Sequence, residues 1–367
     1  MNLSMPDYKI RKPYINAFEK VLKHGIFILG QEVKEFEKRV STYCGSKYSI
    51  AVSSGTDALI LALKAYNISH KDEVIIPDMS FVATANAVNL VGAKPIFCDI
   101  NNDFNINPKK INQLITSKTK AIILVHYAGK IAKIKKIKKI AKKYKIIVIE
   151  DASQAFGATY KKQKAGTIGD IGCFSLNPMK TLGALGEAGV ITTDNLHIYN
   201  KLLQIRANGL NADRKCIHKG FNAKIDTIQA AFLNIKLDSL EQNILKRNKI
   251  ATYYTKKLKK LVITPKIHKN IKLNRDVYYS YTILVKKKHR KDLASFLLSN
   301  NIEVKVNHTS MHQEPAYMKS NIKLKKSILI SQQKIALPCN EMITKIEMKF
   351  IISKIKEFYK KVAENEL

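Results

Sequence analysis

Cysteine is scarce in this 367-residue chain, and its five cysteines are far apart in the sequence. They are Cys44, Cys98, Cys173, Cys216 and Cys339. Their spacing matches neither the paired ligands of a zinc site nor the framework of a disulfide-stapled domain. We therefore interpret them as reduced, mostly buried thiols, and we predict no metal site.

Long apolar runs are also lacking. No stretch approaches the length that a helix needs to cross a bilayer. The first residues, MNLSMPDYKIRKPYINAF, contain neither the apolar segment nor the cleavage site of a signal peptide. We expect a cytoplasmic protein with no membrane insertion.

Acidic residues and arginine are both infrequent. The chain has 29 Asp and Glu residues and 64 Lys and Arg residues, which gives a formal net charge of +35. Only seven of the basic residues are arginine. Such a charge favours an anionic partner, either nucleic acid, a membrane surface or a phosphorylated metabolite. The scarcity of arginine argues against nucleic acid, because planar recognition of phosphates and bases prefers its guanidinium group.

The densest basic segment, KIAKIKKIKKIAKKYK at 130–145, tests this interpretation. Its isoleucines at Ile131, Ile134 and Ile137 recur at helical spacing, so one face can pack inward while the lysines face water. We favour a solvated amphipathic helix over a nucleic-acid-binding arm.

Short apolar runs rich in β-branched residues alternate with helical stretches through most of the chain. These runs are YSIAVSS, EVIIP, PIFCDI, AIILVH, IIVIED, IGCFSL and GVITTD. The alternation predicts an α/β fold, with a mostly parallel central sheet flanked by helices. In such sheets, ligands bind at the carboxyl ends of the strands.

The two ends of the chain differ from this alternating part. Before Tyr48, two helical patterns end near glycines, and after about Leu240 a long helical stretch leads into a different rhythm. There we expect a strand in YYSYTILVKKK, a helix in RKDLASFLLSNN, a strand in IEVKVN and a helix from Lys345. We predict a large domain at 1–240 and a small C-terminal α+β domain at 241–367.

Two strand ends carry residues suited to a charged ligand. In SSGTDALILAL, a strand ends at a Gly55-Thr56 turn and a helix starts at once, so free N–H groups and the helix dipole can hold a phosphate. A simple capped helix looks the same. In IIVIEDASQAFGA, a buried strand delivers Glu150 and Asp151 to its carboxyl end. An acid there serves as a helix cap, a metal ligand or the partner of a cofactor's protonated nitrogen.

Two further segments add a lysine and an aromatic ring. In FSLNPMKTLGALGEAG, Ser175 ends a strand, and Lys180 follows among small and apolar residues. Such surroundings disfavour the charged amine and make it a better nucleophile or base, although most lysines are simply solvated. In PDMSFVATANAV, Phe81 follows a strand end, where it either covers a planar ligand or joins the core.

Together these residues are the parts that pyridoxal 5'-phosphate (PLP) requires. The order and wording of the motifs resemble the DegT-type family of PLP-dependent sugar-nucleotide aminotransferases, which have the aspartate-aminotransferase-like type I fold. The resemblance spans nearly the whole chain. It includes GIFILGQEVKEFEKRV, SSGTDALILAL, PDMSFVATANAV, EDASQAFGA, FSLNPMKTLGALGEAG, GFNAKIDTIQAAF and ALPCNEMIT.

The resemblance implies a role for each matching residue. Lys180 would form the Schiff base with PLP, Asp151 would pair with the pyridinium nitrogen, and Gln154 would lie by the phenolic oxygen. Phe81 would stack on the ring. The phosphate would be held by Gly55, Thr56 and Ser175.

The resemblance also implies a homodimer, in which Asn222 of GFNAKID reaches the phosphate in the neighbouring subunit. Two positions depart from the family pattern. Lys224 stands where the family usually has arginine, and His308 is followed by Thr309 and Ser310 where a His-Tyr-Pro segment usually faces the sugar. We carry over His308 as a sugar contact.

The implied reaction moves an amino group from glutamate, through pyridoxamine phosphate (PMP), to a keto group of a dTDP- or UDP-linked sugar. Lys180 would carry the protons as general base and acid. The segment TLGALGEAG leans toward family members that act at C3 of the sugar, in preference to C4.

Three alternatives compete with this interpretation. A PLP- or PMP-dependent sugar-nucleotide dehydratase of the same fold would carry histidine in place of Lys180. A basic nucleic-acid-binding or regulatory protein would show a recognition motif, and none is found in the sequence. A nicotinamide dehydrogenase is disfavoured because GALGEAG lacks the G-x-G-x-x-G spacing.

Overall fold

The computed structural model describes residues 4, 5, 7–306, 310–318 and 322–365. Its strands are β1 (Tyr48–Val52), β2 (Glu73–Pro77), β3 (Lys94–Cys98), β4 (Thr119–Val125), β5 (Ile147–Asp151), β6 (Thr159–Tyr160), β7 (Gln163–Lys164), β8 (Ile171–Ser175), β9 (Gly189–Thr193), β10 (Tyr281–Leu284) and β11 (Lys334–Leu337). Its helices are α1 (Tyr8–His24), α2 (Gln31–Cys44), α3 (Gly55–Ala65), α4 (Ala83–Leu90), α5 (Pro108–Ile111), α6 (Ile134–Tyr144), α7 (Leu196–Arg206), α8 (Thr227–Leu258), α9 (Lys287–Ser299), α10 (Lys325–Ser331) and α11 (Lys345–Asn365).

The central sheet has seven strands in the order β1-β9-β8-β5-β4-β2-β3. Strand β9 is antiparallel to both of its neighbours, and all the other pairs are parallel. This confirms the predicted α/β fold with a mostly parallel sheet. The register pairs Val125 with Asp151 and Asp151 with Cys173, so the carboxyl ends of β4, β5 and β8 lie level at one edge.

Both faces of the sheet are buried under helices. Along β4, the side chains of Ile122 and Leu124 join one apolar cluster with α2 and α6, whereas Ile123 joins a second cluster with α3 and α4. Because successive side chains of a strand point to opposite faces, a strand buried on both sides is apolar at every position. This explains why the strands stand out as short apolar runs.

The ends of the N-terminal helices and the basic segment follow from the residue types. Helices α1 and α2 end at Gly25 and Gly45, whose φ angles of 68° and 78° are left-handed and suit glycine. Helix α6 begins at Ile134, four residues later than the basic segment at 130–145. It buries Ile134, Ile137 and Ala141, which agrees with the amphipathic interpretation.

The C-terminal part has its own apolar cluster and a two-stranded sheet, in which β10 and β11 pair antiparallel. Helix α8 begins well before Leu240 and runs unbroken past it, so the division between 240 and 241 stays a prediction. Residues from α8, α9, α11 and both strands form the cluster, including Tyr254, Ile283, Leu293, Ile335 and Ile355.

The predicted strand IEVKVN is wrong within the described residues, because 302–306 form only an isolated bridge between Lys305 and Ala336. Ile302 and Val304 are buried, so the alternation of the segment reports burial on one side and not a ladder of hydrogen bonds. Across the described ranges, no helix combines the length and apolar character needed to span a membrane.

Candidate active site

A cavity of about 710 Å³ lies at the carboxyl edge of the central sheet. Residues that follow β2, β5 and β8 line one side of it, and residues of the C-terminal part, including those of β11, line the other. The cavity brings together most of the residues singled out in the sequence, namely Gly55, Thr56, Phe81, Asp151, Gln154, Ser175 and Lys180. Parallel strands place these side chains together because their carboxyl ends meet at the same edge.

The turn before α3 makes one end of the cavity. Ser54 caps the helix by accepting a hydrogen bond from the Asp57 N–H at 3.0 Å. A Cβ atom added to Gly55 would lie 2.8 Å from the Ser175 Cα and closer still to its Cβ. Only glycine therefore lets the start of α3 approach the end of β8, and Gly55 and Thr56 of its first turn line the cavity.

The strand β5 sends its two acidic residues to opposite faces. Asp151 lines the cavity, and its carboxylate accepts hydrogen bonds from the Thr84 hydroxyl at 2.8 Å and the Ser153 N–H at 3.2 Å. Glu150 is fully buried on the other face, where it lies 2.7 Å from the His126 ring and accepts several backbone N–H groups. Of the two candidates, only Asp151 can meet a ligand in the cavity.

The lysine of the Gly-rich loop is largely buried. Burial lowers the pKa of Lys180, while the carboxylates of Asp151 and Glu187 act in the opposite direction. The Lys180 ammonium lies 4.9 Å from the centre of the Tyr279 ring, and the backbone N–H of Lys180 donates to the Asn177 carbonyl at 2.8 Å. A lysine with a lowered pKa is a better nucleophile and base than a solvated one.

Gln154 and Phe81 occupy different positions in the cavity wall. The side-chain oxygen of Gln154 accepts a hydrogen bond from the Ala128 N–H at 2.7 Å, which fixes the amide against the turn Tyr127–Gly129. Phe81 is 56% exposed and lines the cavity, so it is not a core residue.

Among the described residues, one predicted site residue, Asn222, does not line this cavity. Its side-chain oxygen accepts a hydrogen bond from the Lys224 ammonium. His308 lies outside the described residues. The roles of both residues remain predictions.

Sequence reasoning missed several residues of the cavity, most of them from the C-terminal part. The cavity is also lined by Tyr127, Arg247, Tyr279, Lys305 and Lys334. Arg247 and Lys334 are 4% and 3% exposed, respectively. A lysine in a short apolar strand, such as Lys334, is an unusual residue that the sequence alone shows. Its hydrogen-bond partner Tyr127 is far away in the sequence, and only the fold brings the two together.

The fold and cavity define a class of protein, an α/β enzyme whose largely buried lysine faces a carboxylate and a helix N-terminus. The chain belongs to the DegT/DnrJ/EryC1/StrS aminotransferase family, whose sequence model matches residues 8–356. It is therefore an aminotransferase, and the family is PLP-dependent.

Two curated relatives match almost the full length. The chain is 34% identical to dTDP-3-amino-3,6-dideoxy-alpha-D-galactopyranose transaminase of Aneurinibacillus thermoaerophilus, over 98% of each chain. It is 35% identical to UDP-2-acetamido-2-deoxy-3-oxo-D-glucuronate aminotransferase of Pseudomonas aeruginosa, over 96% of this chain and 97% of the relative.

The chain is also similar to a solved structure that contains a cofactor. NtdA from Bacillus subtilis with bound PMP is 32% identical, with a TM-score of 0.90 over 96% of this chain and 83% of that one. The residues of the cavity fit the same cofactor. Gly55 lets the first turn of α3 lie against Ser175 at the cavity, Asp151 presents a carboxylate, and Lys180 is an amine whose charge is disfavoured by burial.

Proposed function

We propose that this protein transfers the amino group of glutamate to C3 of a keto sugar linked to dTDP or UDP. The observation that carries the proposal is the largely buried Lys180 beside Asp151 in one cavity with the start of α3. The names of the two curated relatives support C3, because each specifies a 3-amino or 3-oxo sugar nucleotide. Lys180 argues against the dehydratase alternative, which would carry histidine there.

The residues of the cavity would divide the work of holding the cofactor. We propose that Gly55, Thr56 and Ser175 bind the PLP phosphate with N–H and hydroxyl donors, helped by the helix dipole. Asp151 would hold a proton on the ring nitrogen and Gln154 would lie by the phenolic oxygen. When bound, PLP supplies an electron sink for the carbon that loses its proton.

Phe81 and Lys180 complete the arrangement. Phe81 would cover one face of the ring and keep it in place. Lys180 would hold the cofactor and then act as the base that takes the proton from the α-carbon of glutamate. The Lys180 ammonium would then give that proton to the cofactor carbon. In the second half of the reaction, the neutral Lys180 amine would take a proton from the cofactor carbon and deliver it to the sugar carbon that receives the amino group. Its lowered pKa makes the neutral amine more available for these steps.

We also propose a homodimer in which Asn222 completes the phosphate site of the partner. Several apolar side chains of α1 and the segment after it are exposed, including Phe18, Leu22, Phe27 and Ile28. A group of exposed apolar side chains is typical of an interaction site. Mixed dimers of Lys180→Ala and Asn222→Ala subunits test this, because one of the two shared sites should then be intact and recover activity.

We propose that the protein is cytoplasmic, because its cysteines are free thiols. All five cysteines are unpaired and four of them are buried. Free thiols persist in a reducing compartment.

The test begins with the purified protein and PLP. We expect wild type to bind PLP with a visible absorbance band that shifts on adding glutamate. Lys180→Ala should lose the shift and all amination. Lys201→Ala is the matched control, because Lys201 also has a pKa lowered by burial but lies outside the cavity. A wild-type protein that binds no PLP contradicts the proposal.

The position of amination needs a separate experiment. A panel of 3-keto and 4-keto sugar nucleotides, with products scored by mass and NMR, should show faster turnover of the 3-keto members. Equal rates on both classes would remove the preference for C3.

A further inference from the structure

The wall of the cavity formed by the C-terminal part contains a buried lysine that the proposed reaction does not use. Lys334 is the first residue of β11, is 3% exposed and lines the cavity. Its ammonium group donates to the hydroxyl of Tyr127 at 3.1 Å, and Tyr127 lines the same cavity. Two N–H donors of Lys334 and the hydroxyl hydrogen of Tyr127 are left for a ligand.

Among the described residues, the ammonium group of Lys334 has no acidic partner. Within the part of the chain that the structure describes, no carboxylate lies within ion-pair distance of its ammonium. The other buried cation of the cavity is different, since Arg247 pairs with Glu341 through its Nε at 2.8 Å and a terminal nitrogen at 2.6 Å. The carboxylates that line the cavity are Asp151, Glu187, Glu303 and Glu347, and none of them pairs with Lys334.

A buried, unpaired charge is unfavourable for folding and is satisfied best when an anion completes it. The geometry points to a subsite for a carboxylate group. We propose that Lys334 and Tyr127 together bind a carboxylate of a substrate of the proposed amino transfer, on which this inference rests. A carboxylate has two acceptor oxygens and one negative charge, which match one ammonium group and one hydroxyl group side by side.

A carboxylate can arrive from either of two substrates. The amino donor glutamate carries one beyond its reacting carbon, and a keto sugar oxidised at C6 carries one on the sugar ring. Two pairs of unreactive ligands separate these sources. Glutarate and butyrate differ by one carboxylate, and UDP-glucuronate and UDP-glucose differ in the same way.

The experiment measures binding of these ligands to the PLP-loaded enzyme by calorimetry. In wild type, the carboxylate member of at least one pair should bind more tightly than its partner. Lys334→Met should weaken that binding by about tenfold or more, because a hydrogen bond to a charged group is lost, and should leave the other member unchanged. Tyr127→Phe should weaken it by a smaller factor.

The control is Lys349→Met, which removes the same formal charge from an exposed position on α11. Lys334→Met should keep or raise the thermal stability of the protein, because methionine has a similar length and no charge to bury. A large loss of stability, equal weakening of both members of a pair, or no preference of wild type for either carboxylate overturns the inference. Binding of PLP and amination by wild type are scored separately, so failure of the proposed function is distinguishable.

Discussion

Replacing Thr84 by valine tests whether Asp151 is held in place by one hydroxyl group. Thr84 is 1% exposed, and its hydroxyl donates to the Asp151 carboxylate at 2.8 Å while lying 2.8 Å from the Ser80 hydroxyl. Valine has nearly the same shape as threonine but no hydroxyl group. The substitution therefore removes the hydrogen bond with little change in packing.

The expected loss follows from the charge and burial of this contact. A hydrogen bond to a charged group contributes about 1.5–3 kcal/mol to stability. After the change, Asp151 keeps the Ser153 N–H at 3.2 Å, which is a longer contact than the one removed. We expect the free energy of unfolding of the protein without PLP to fall by about 2 kcal/mol. The affinity for PLP should fall as well, because the carboxylate is no longer fixed in the cavity.

The assay compares chemical denaturation and PLP binding of wild type, Thr84→Val and Thr84→Ser. Serine keeps the hydroxyl and loses a methyl group, so Thr84→Ser should keep more of the PLP affinity than Thr84→Val does. A valine variant with the unfolding free energy and PLP affinity of wild type would refute the reasoning.

Two further predictions concern Gly55 and Lys180. Gly55→Ala should lower the free energy of unfolding by about 1–3 kcal/mol and weaken PLP binding, because the new Cβ meets the backbone of Ser175. Gly186→Ala is the control, because its Cβ meets the end of the Gln229 side chain. Chemical denaturation should show a smaller loss of unfolding free energy for Gly186→Ala. Because burial lowers the pKa of Lys180, the unfolded state binds more protons between the folded and the unfolded pKa, so stability without PLP should rise with pH across that window. Lys180→Met should therefore be more stable than wild type at neutral pH. The difference in melting temperature between the two proteins should shrink as the pH rises toward the value at which a free lysine titrates. A difference that stays constant with pH would contradict this.

Much of the central sheet could be predicted because its strands are buried on both faces. Ile122, Ile123 and Leu124 are all apolar for this reason, and the turn at Gly55 marks where a strand passes into a helix. Once the strands are known to be parallel, their carboxyl ends must share one edge. The meeting of Asp151 with Lys180 in one cavity follows from that rule.

The other wall of the cavity could not be predicted in the same way. Lys334 and Tyr127 come together through packing of β11 against the turn that follows β4, and no periodic pattern links two segments so far apart in the sequence. The strand predicted in 302–306 is wrong for a related reason. Alternation of apolar and polar residues indicates which side chains are buried, but it does not indicate which backbone groups form hydrogen bonds.

The lysine content of the chain also takes a different meaning once burial is known. Seen as composition, a formal charge of +35 points to an anionic partner, but the lysines of α6 face water and are screened by salt. Lys180 and Lys334 are buried or largely buried in the cavity, where screening is weak and the loss of hydration is costly. Lys180 responds to burial with a lowered pKa, whereas Lys334 keeps a hydroxyl partner and has donors left for a ligand. The position of a lysine relative to the cavity, and not the number of lysines, therefore determines what it can do chemically.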